Sequence, residues 1–209
     1  MESHKKQSED GILIGNQIDK NQLANPISRR LVKQFDKALF TALDAVRPSS
    51  IHEIGCGEGR LARQLSHRYP VEILASDFSS TLIQENQQNC PPLVTFKCIS
   101  VYEINQLEDN RDTIICCEVL EHLETPEVAL QAMARLGARA YIFSVPHEPI
   151  WRGLNILRLS YLKDLGNTPG HLNHWSYNRF IVLLRTCGFT VEKSYNPFPW
   201  IMVRASLTK

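Results

Sequence analysis

The run Glu53-Ile54-Gly55-Cys56-Gly57-Glu58-Gly59 places three glycines at alternate positions directly after the apolar segment Ser50 to Ile54. Leu61, Ala62 and Leu65 then recur at helical spacing, so the loop joins a buried strand to a helix. Glycine lets backbone approach a ligand with no Cβ in the way, and the following helix aims free N–H groups at it. A dinucleotide fingerprint, G-x-G-x-x-G, would put its third glycine at position 60, where Arg60 stands. The spacing therefore argues against a nicotinamide or flavin dinucleotide.

The rest of the chain repeats the same rhythm. A helix is expected from Ile27, carrying Leu31, Phe35, Leu39, Ala42 and Val46 and stopped by Pro48. Further strands are expected at Val71–Ala75, Leu93–Ile99, Thr113–Cys117 and Ala140–Val145, with a closing pair at Thr190–Ser194 and Trp200–Ser206. Between them fall helices from Ser79 to Asn89, from Thr125-Pro126-Glu127 to Gly137, and from Ser176 to Cys187. Ser79 or Ser80, Thr125 and Ser176 supply capping hydroxyls. Alternating strands and helices imply an α/β fold with a mainly parallel sheet covered on both faces. In such sheets ligands bind beyond the carboxyl ends of the strands.

Two segments break the rhythm. Residues 1–26 are polar and read as a flexible N-terminal flap ahead of a single domain spanning 27–209. Residues 146–175 hold three prolines, three glycines, three histidines and two tryptophans, with a short helix expected around Asn155 to Leu162. A connection that long in a compact domain is usually functional, and this one is read as a substrate-covering insertion.

The chain has 23 Lys and Arg against 22 Asp and Glu, so no global basic field recruits nucleic acid. No C-x-x-C pair occurs among the six cysteines, which read as free thiols of a reducing compartment. No secretory leader or membrane-length apolar run is visible, and a cytoplasmic protein, monomeric or homodimeric, is expected.

Asp77 ends the second expected strand, where an acidic side chain accepts both hydroxyls of a ribose. With that residue the chain resembles the class I S-adenosylmethionine-dependent methyltransferases, especially the small group similar to ubiquinone-pathway O-methyltransferases often called type 11. HEIGCGEGRLARQL resembles their first motif, LASDFSSTLI the second, CISVYEI the third-strand turn, DTIICCEVLEHLETP the fourth, and HWSYNRFIVLLRTCGF the last helix. The resemblance covers about Ile51 to the C-terminus. It implies a Rossmann-like doubly wound sheet of seven strands, mostly parallel, with an antiparallel last strand and a helical N-terminal flap. It further implies that Glu53, Gly55, Cys56 and Gly57 hold the methionine part of S-adenosylmethionine and that Asp77 binds the ribose. Phe78 would lie beside the adenine, Ser100 and Val101 at the adenine edge, and the backbone of Glu118 and Val119 near the sulfonium. Many relatives carry Asp where Ser100 stands, so that hydrogen bond is expected to be weaker or rearranged.

Methyl transfer is an in-line displacement that chiefly requires positioning and exclusion of water, and an oxygen nucleophile also needs deprotonation by a base or metal. Glu118-x-x-Glu121-His122 is the leading cluster, because these positions share a face if a helix follows the fourth strand. Two carboxylates and an imidazole suit Mg²⁺ or another divalent cation, and His171 or His174 could add a ligand. Similar E-x-x-E-H clusters bind a divalent metal in relatives, although many relatives with the E-H pair bind none. His147, directly after Pro146, is the first choice for a general base, ahead of His122 and His171. The expected activity is methylation of a small-molecule acceptor at oxygen. A metal-dependent RNA 2′-O-methyltransferase and a non-catalytic cofactor-binding accessory protein are the alternatives.

Overall fold

The computed structural model describes residues 8–9, 12–13, 26–157 and 170–208. Two short strands, β1 (Ser8–Glu9) and β2 (Ile12–Leu13), pair antiparallel near the N-terminus. Residues 15–25, the main part of the expected flap, lie outside the described residues.

Seven strands form one sheet: β3 (Ser50–Ile54), β4 (Glu72–Asp77), β5 (Val94–Cys98), β6 (Thr113–Cys117), β7 (Ala140–Pro146), β8 (Phe189–Ser194) and β9 (Trp200–Leu207). The spatial order is β5-β4-β3-β6-β7-β9-β8, with β9 antiparallel to both its neighbours. This is the expected Rossmann-like doubly wound sheet with its antiparallel last strand. After β3 the chain moves outward to β4 and β5, then returns to lay β6 on the other side of β3. The two directions diverge between the ends of β3 and β6, which is where an open α/β sheet leaves a crevice.

Strand side chains alternate between two cores. Ile114, Cys116, Tyr141, Phe143, Val145, Ile201 and Val203 face one cluster, while Ile115, Ile142, Trp200 and Met202 face the other. The first cluster is covered by α5 (Pro126–Leu136) and α7 (Tyr177–Thr186), through Leu130, Met133, Phe180 and Leu184. The second is covered by α1 (Pro26–Val46), α2 (Arg60–Arg68) and α3 (Ser80–Gln88), through Phe35, Leu39, Leu43, Leu61, Leu65 and Ile83. Burial on both faces explains why Thr113–Cys117 reads as an unbroken apolar run.

Local chemistry sets the helix ends with two departures from expectation. Ser79 caps α3, its hydroxyl accepting from Leu82 N–H at 3.2 Å. Thr125 and Ser176 precede α5 and α7 without a side-chain capping bond, so proline at the first position and the buried face set those starts instead. Gly137 ends α5 in the left-handed conformation at φ 70°. A four-residue helix, α4 (Gln106–Asp109), has no periodicity in the sequence and was not expected. The helix of the insertion, α6, spans Ile150–Leu157, earlier than the sequence pattern placed it, and residues 158–169 lie outside the described residues.

His52 is a buried joint between this framework and the glycine loop. Its Nδ1 lies 2.8 Å from the Asp109 carbonyl and its Nε2 2.8 Å from Ser76 Oγ. A carbonyl only accepts, so Nδ1 carries the proton and Nε2 accepts from the hydroxyl. Burial holds the His52 pKa down, to about 4, so the ring is neutral in the folded protein. The unfolded chain takes up this proton near pH 6.5, so stability falls as pH drops from there toward 4, by about 3 kcal/mol for this group. Urea denaturation of wild type and His52→Gln across that range checks this, and the difference between their stabilities should shrink as the solution is acidified.

Candidate active site in the crevice between β3 and β6

Gly55 leaves β3 at φ +75° with Val119, which follows β6, packed onto its α-carbon; a Cβ built there collides with Val119 Cγ2. Glycine is thus required twice over, by the left-handed backbone and by the close approach. Gly57 also has a positive φ, 53°, but a Cβ there would meet nothing within 4 Å. The loop is therefore open at Gly57, with room for a ligand to lie against its backbone.

The loop is clamped from β4 and α3. The N–H groups of Gly55 and Cys56 both donate to the Ser76 carbonyl, at 2.8 and 2.9 Å. Gly57 N–H donates to Asp77 Oδ2 at 2.9 Å, and the Gly57 carbonyl accepts from Asn86 Nδ2 at 2.8 Å. Asn86 Oδ1 accepts in turn from Arg63 at 3.1 Å. Sequence reasoning missed Asn86, although a polar residue in helical register with buried Leu82 and Ile83 is a readable anomaly. Asp77 Oδ1 accepts from Ser79 N–H at 3.0 Å. Each carboxylate oxygen can accept more than one hydrogen bond, so this fixed carboxylate retains capacity for ribose hydroxyls.

Glu53 is 5% exposed, and its Oε2 has no hydrogen-bond partner among the described residues. Burial pushes its pKa up to about 8, opposed by the Arg60 charge and reinforced by Asp77. A buried carboxyl with one unpartnered oxygen beside an open glycine loop fits a cationic ligand group such as the methionine ammonium of the cofactor. Arg60 is itself held by Asp36 of α1 through two bonds of 2.9 and 3.0 Å. Cys56 is buried and its thiol is pushed far above its ordinary range by burial, so it serves the loop through its backbone.

Beyond β5, Ile99 N–H donates to the Asp77 carbonyl at 2.9 Å, bringing the turn of Ser100 and Val101 beside the ribose position. Val101 is buried, and Ser100 accepts from Tyr102 N–H at 3.3 Å and from Glu103 N–H at 2.9 Å. Phe78 and Tyr102 are 39% and 36% exposed, large aromatic surfaces left open in this part of the site. Tyr102 had not been singled out from sequence.

The loop after β6 divides the acidic cluster in a way the sequence did not foresee. Residues 120–122 form a 3-10 turn rather than an α-helix, and Glu118 adopts φ +61°. Glu118 Oε1 accepts from Ser144 Oγ at 3.0 Å and Oε2 from Trp200 Nε1 at 2.6 Å. Among the described residues the side chains whose ligand atoms converge are instead Glu121, His122 and His171, all within 4.8 Å of one another. His171 arrives because residues 170–173 fold onto the turn. Leu172 and Asn173 N–H donate to the Glu121 carbonyl at 2.8 and 3.0 Å, and His122 Nδ1 lies 2.9 Å from the Gly170 carbonyl. Of the expected set, Glu121 and His122 come together with His171, while the Glu118 carboxylate is engaged by Ser144 and Trp200.

That donor set, one buried carboxylate and two imidazoles, matches the ligands a borderline divalent cation takes. Burial and the neighbouring histidines hold the His171 pKa down, to about 3, which leaves it neutral and able to ligate but a weak proton acceptor. His147 is not in this cluster. It directly follows β7, where its N–H donates to the Pro199 carbonyl at 3.0 Å and its own carbonyl accepts from Trp151 N–H at 2.9 Å.

A family model described as a methyltransferase domain matches residues 51–138, from β3 through α5. Over residues 51–138 the chain thus carries a methyltransferase domain. The chain is 29% identical, over 70% of its length, to a ubiquinone biosynthesis O-methyltransferase of Alkalilimnicola ehrlichii, and spans 64% of that protein. The N-methyltransferase NodS of Bradyrhizobium japonicum, solved with S-adenosylhomocysteine, shares the fold at a TM-score of 0.66 and 17% identity, covering 93% of this chain and 94% of that one. Magnesium protoporphyrin IX methyltransferase of Synechocystis, also with bound product, gives 0.65 and 20%, covering 89% of each chain. At these identities the structural likeness speaks for the fold of the methyltransferase domain. Among its described helices, none is long and apolar enough to cross a membrane.

Two outcomes follow for the cofactor side. Gly55→Ala should weaken S-adenosylhomocysteine binding at least about tenfold, and more than Gly57→Ala, where only backbone strain is added. Val119→Ala placed in the Gly55→Ala background should recover part of the loss, read by titration calorimetry. Second, a cation seated against Glu53 must displace its proton. Cofactor binding below pH 8 should therefore release a proton and weaken as pH falls. Calorimetry in buffers of different ionisation heat detects that proton, and Glu53→Gln should abolish it.

Proposed function

We propose that this chain transfers the methyl group of S-adenosylmethionine to an oxygen of a small-molecule acceptor, releasing S-adenosylhomocysteine, with a divalent cation held by Glu121, His122 and His171. The observation that carries the reading is the seating of Val119 on Gly55, which sets this cluster next to the cofactor loop. When bound, the sulfonium supplies an activated methyl and the cation lowers the pKa of an acceptor hydroxyl.

The chain's own residues do the rest. Asp77 and the loop clamped by Asn86 fix the cofactor, while Glu53 receives its ammonium. The described parts of the insertion, residues 146–157 and 170–175, cover the acceptor and exclude water. The low proton affinity of His171 favours a ligand's role over a base's, which leaves His147 to receive the proton. Oxygen as the methylated atom is supported by the ubiquinone-pathway relative, and a small acceptor by the balanced charge of the chain. Free cysteines throughout the described residues agree with work in the cytoplasm.

Incubation with S-adenosylmethionine and a panel of phenols and catechols, with and without Mg²⁺ or Mn²⁺, tests this directly. The expected result is S-adenosylhomocysteine formation that depends on the acceptor and is lost with a strong chelator. Glu121→Gln should reduce turnover by at least about tenfold while leaving product binding intact. Turnover that survives chelation would remove the cation from the mechanism.

A further inference from the structure

The Glu118 carboxylate lies at the root of a chain of aromatic rings. Ser144, fully buried on β7, and Trp200, the first residue of β9, donate to its two oxygens at 3.0 and 2.6 Å. The Trp200 indole stands edge-on to Phe35 of α1, with ring centres 5.2 Å apart, and packs tilted against Trp151 of α6 at 5.5 Å. Trp151 is near-parallel to His171 at 6.3 Å, and His171 meets His122 edge-on at 4.9 Å. Val32, Phe35, Arg60 and Trp200 also line a small cavity next to the loop. An indole has one polar atom, so a single charge-assisted bond fixes its rotation within a stack that is otherwise apolar.

We propose that Glu118 is a positioning residue for the acceptor side: its carboxylate orients Trp200 and, through that ring, Trp151 and His171. This rests on the methyltransferase reading for what the wall faces, but the orientation itself is a property of the free protein. The left-handed backbone at Glu118 serves the arrangement. It turns the carboxylate toward β7 and β9, whereas Glu121 joins the histidines. A non-glycine residue in this conformation is retained where surrounding contacts over-determine it.

The full chain provides the test. With Trp151→Phe and Trp175→Phe, Trp200 is the only tryptophan left, and acrylamide quenching reports its exposure. Losing a hydrogen bond to a charged group should raise the released population of the ring about 10- to 100-fold in Glu118→Ala. Glu118→Gln should restore wild-type quenching, since its amide oxygen accepts from the indole and its nitrogen donates to Ser144. In the natural background, Glu118→Ala should also shift the His171 ring proton resonances, which lie in the ring current of Trp151, and Glu118→Gln should not. Unchanged quenching or unchanged His171 resonances in Glu118→Ala would overturn the proposal, as would a glutamine variant that behaves like alanine. Failure of wild type to bind S-adenosylhomocysteine would instead sink the methyltransferase reading and leave these spectroscopic outcomes standing.

Discussion

The contact between Gly55 and Val119 spans the gap where the sheet changes direction, and both halves of the site are referenced to it. On one side of it lies the loop clamped by Ser76, Asp77 and Asn86; on the other lies the turn carrying Glu118, Glu121 and His122. Any side chain larger than hydrogen at position 55 pushes these apart. A methyl donor and its acceptor have to meet within van der Waals distance, and a fold that separates their supports by a few tenths of an ångström loses alignment faster than it loses affinity. The most conformationally permissive residue of the chain thus occupies the place with the least spatial tolerance.

Charge is distributed unequally about that contact. Glu53 lies buried with one carboxyl oxygen unpartnered, and burial raises its pKa so that it favours its proton until a cation enters. Asp77 is pre-organised by two backbone N–H groups and needs no rearrangement to accept hydroxyls. His52, one layer deeper, gives up its own charge to join Asp109 to Ser76, whose carbonyl anchors the loop. One ionisable group waits for a ligand, one is already set, and one has been neutralised for structural use. Their environments, rather than their residue types, make the distinction.

The cofactor half was legible in the sequence because its determinants are local. Strand, glycine loop, helix and the acidic end of the next strand fall within Ser50 to Asp77, and short-range periodicity reports all of them. The acceptor half was legible only as composition. The spacing of Glu118, Glu121 and His122 implies one helix face, but a 3-10 turn and one left-handed residue send Glu118 to a different neighbourhood. His171 entered the expectation as a spare ligand because nothing in the sequence shows residues 170–173 pairing with the Glu121 backbone. Trp200 was read simply as the start of a strand. Its indole reaches Glu118 from 82 positions away, a separation that no sequence periodicity encodes.

The reversal of β9 has a consequence for what the C-terminal part of the chain contributes. Pro146, the last residue of β7, is registered opposite Trp200, the first of β9, so the reversed strand begins where the parallel strands finish. A parallel seventh strand would deliver its opening residue to the far edge of the sheet, beneath the core. Running backwards turns a strand's entrance into part of the crevice wall. The residues expected to meet the cofactor all precede position 120, yet the crevice wall beside Glu118 is completed by Trp200, the tenth residue from the end of the sequence. A cofactor-binding fragment ending before β9 would hold its methyl donor against an unfinished wall. The glycine loop and the ring that closes the wall beside it thus stand about 145 positions apart in the sequence, a length that would reach several hundred ångströms as extended chain and is folded into one crevice.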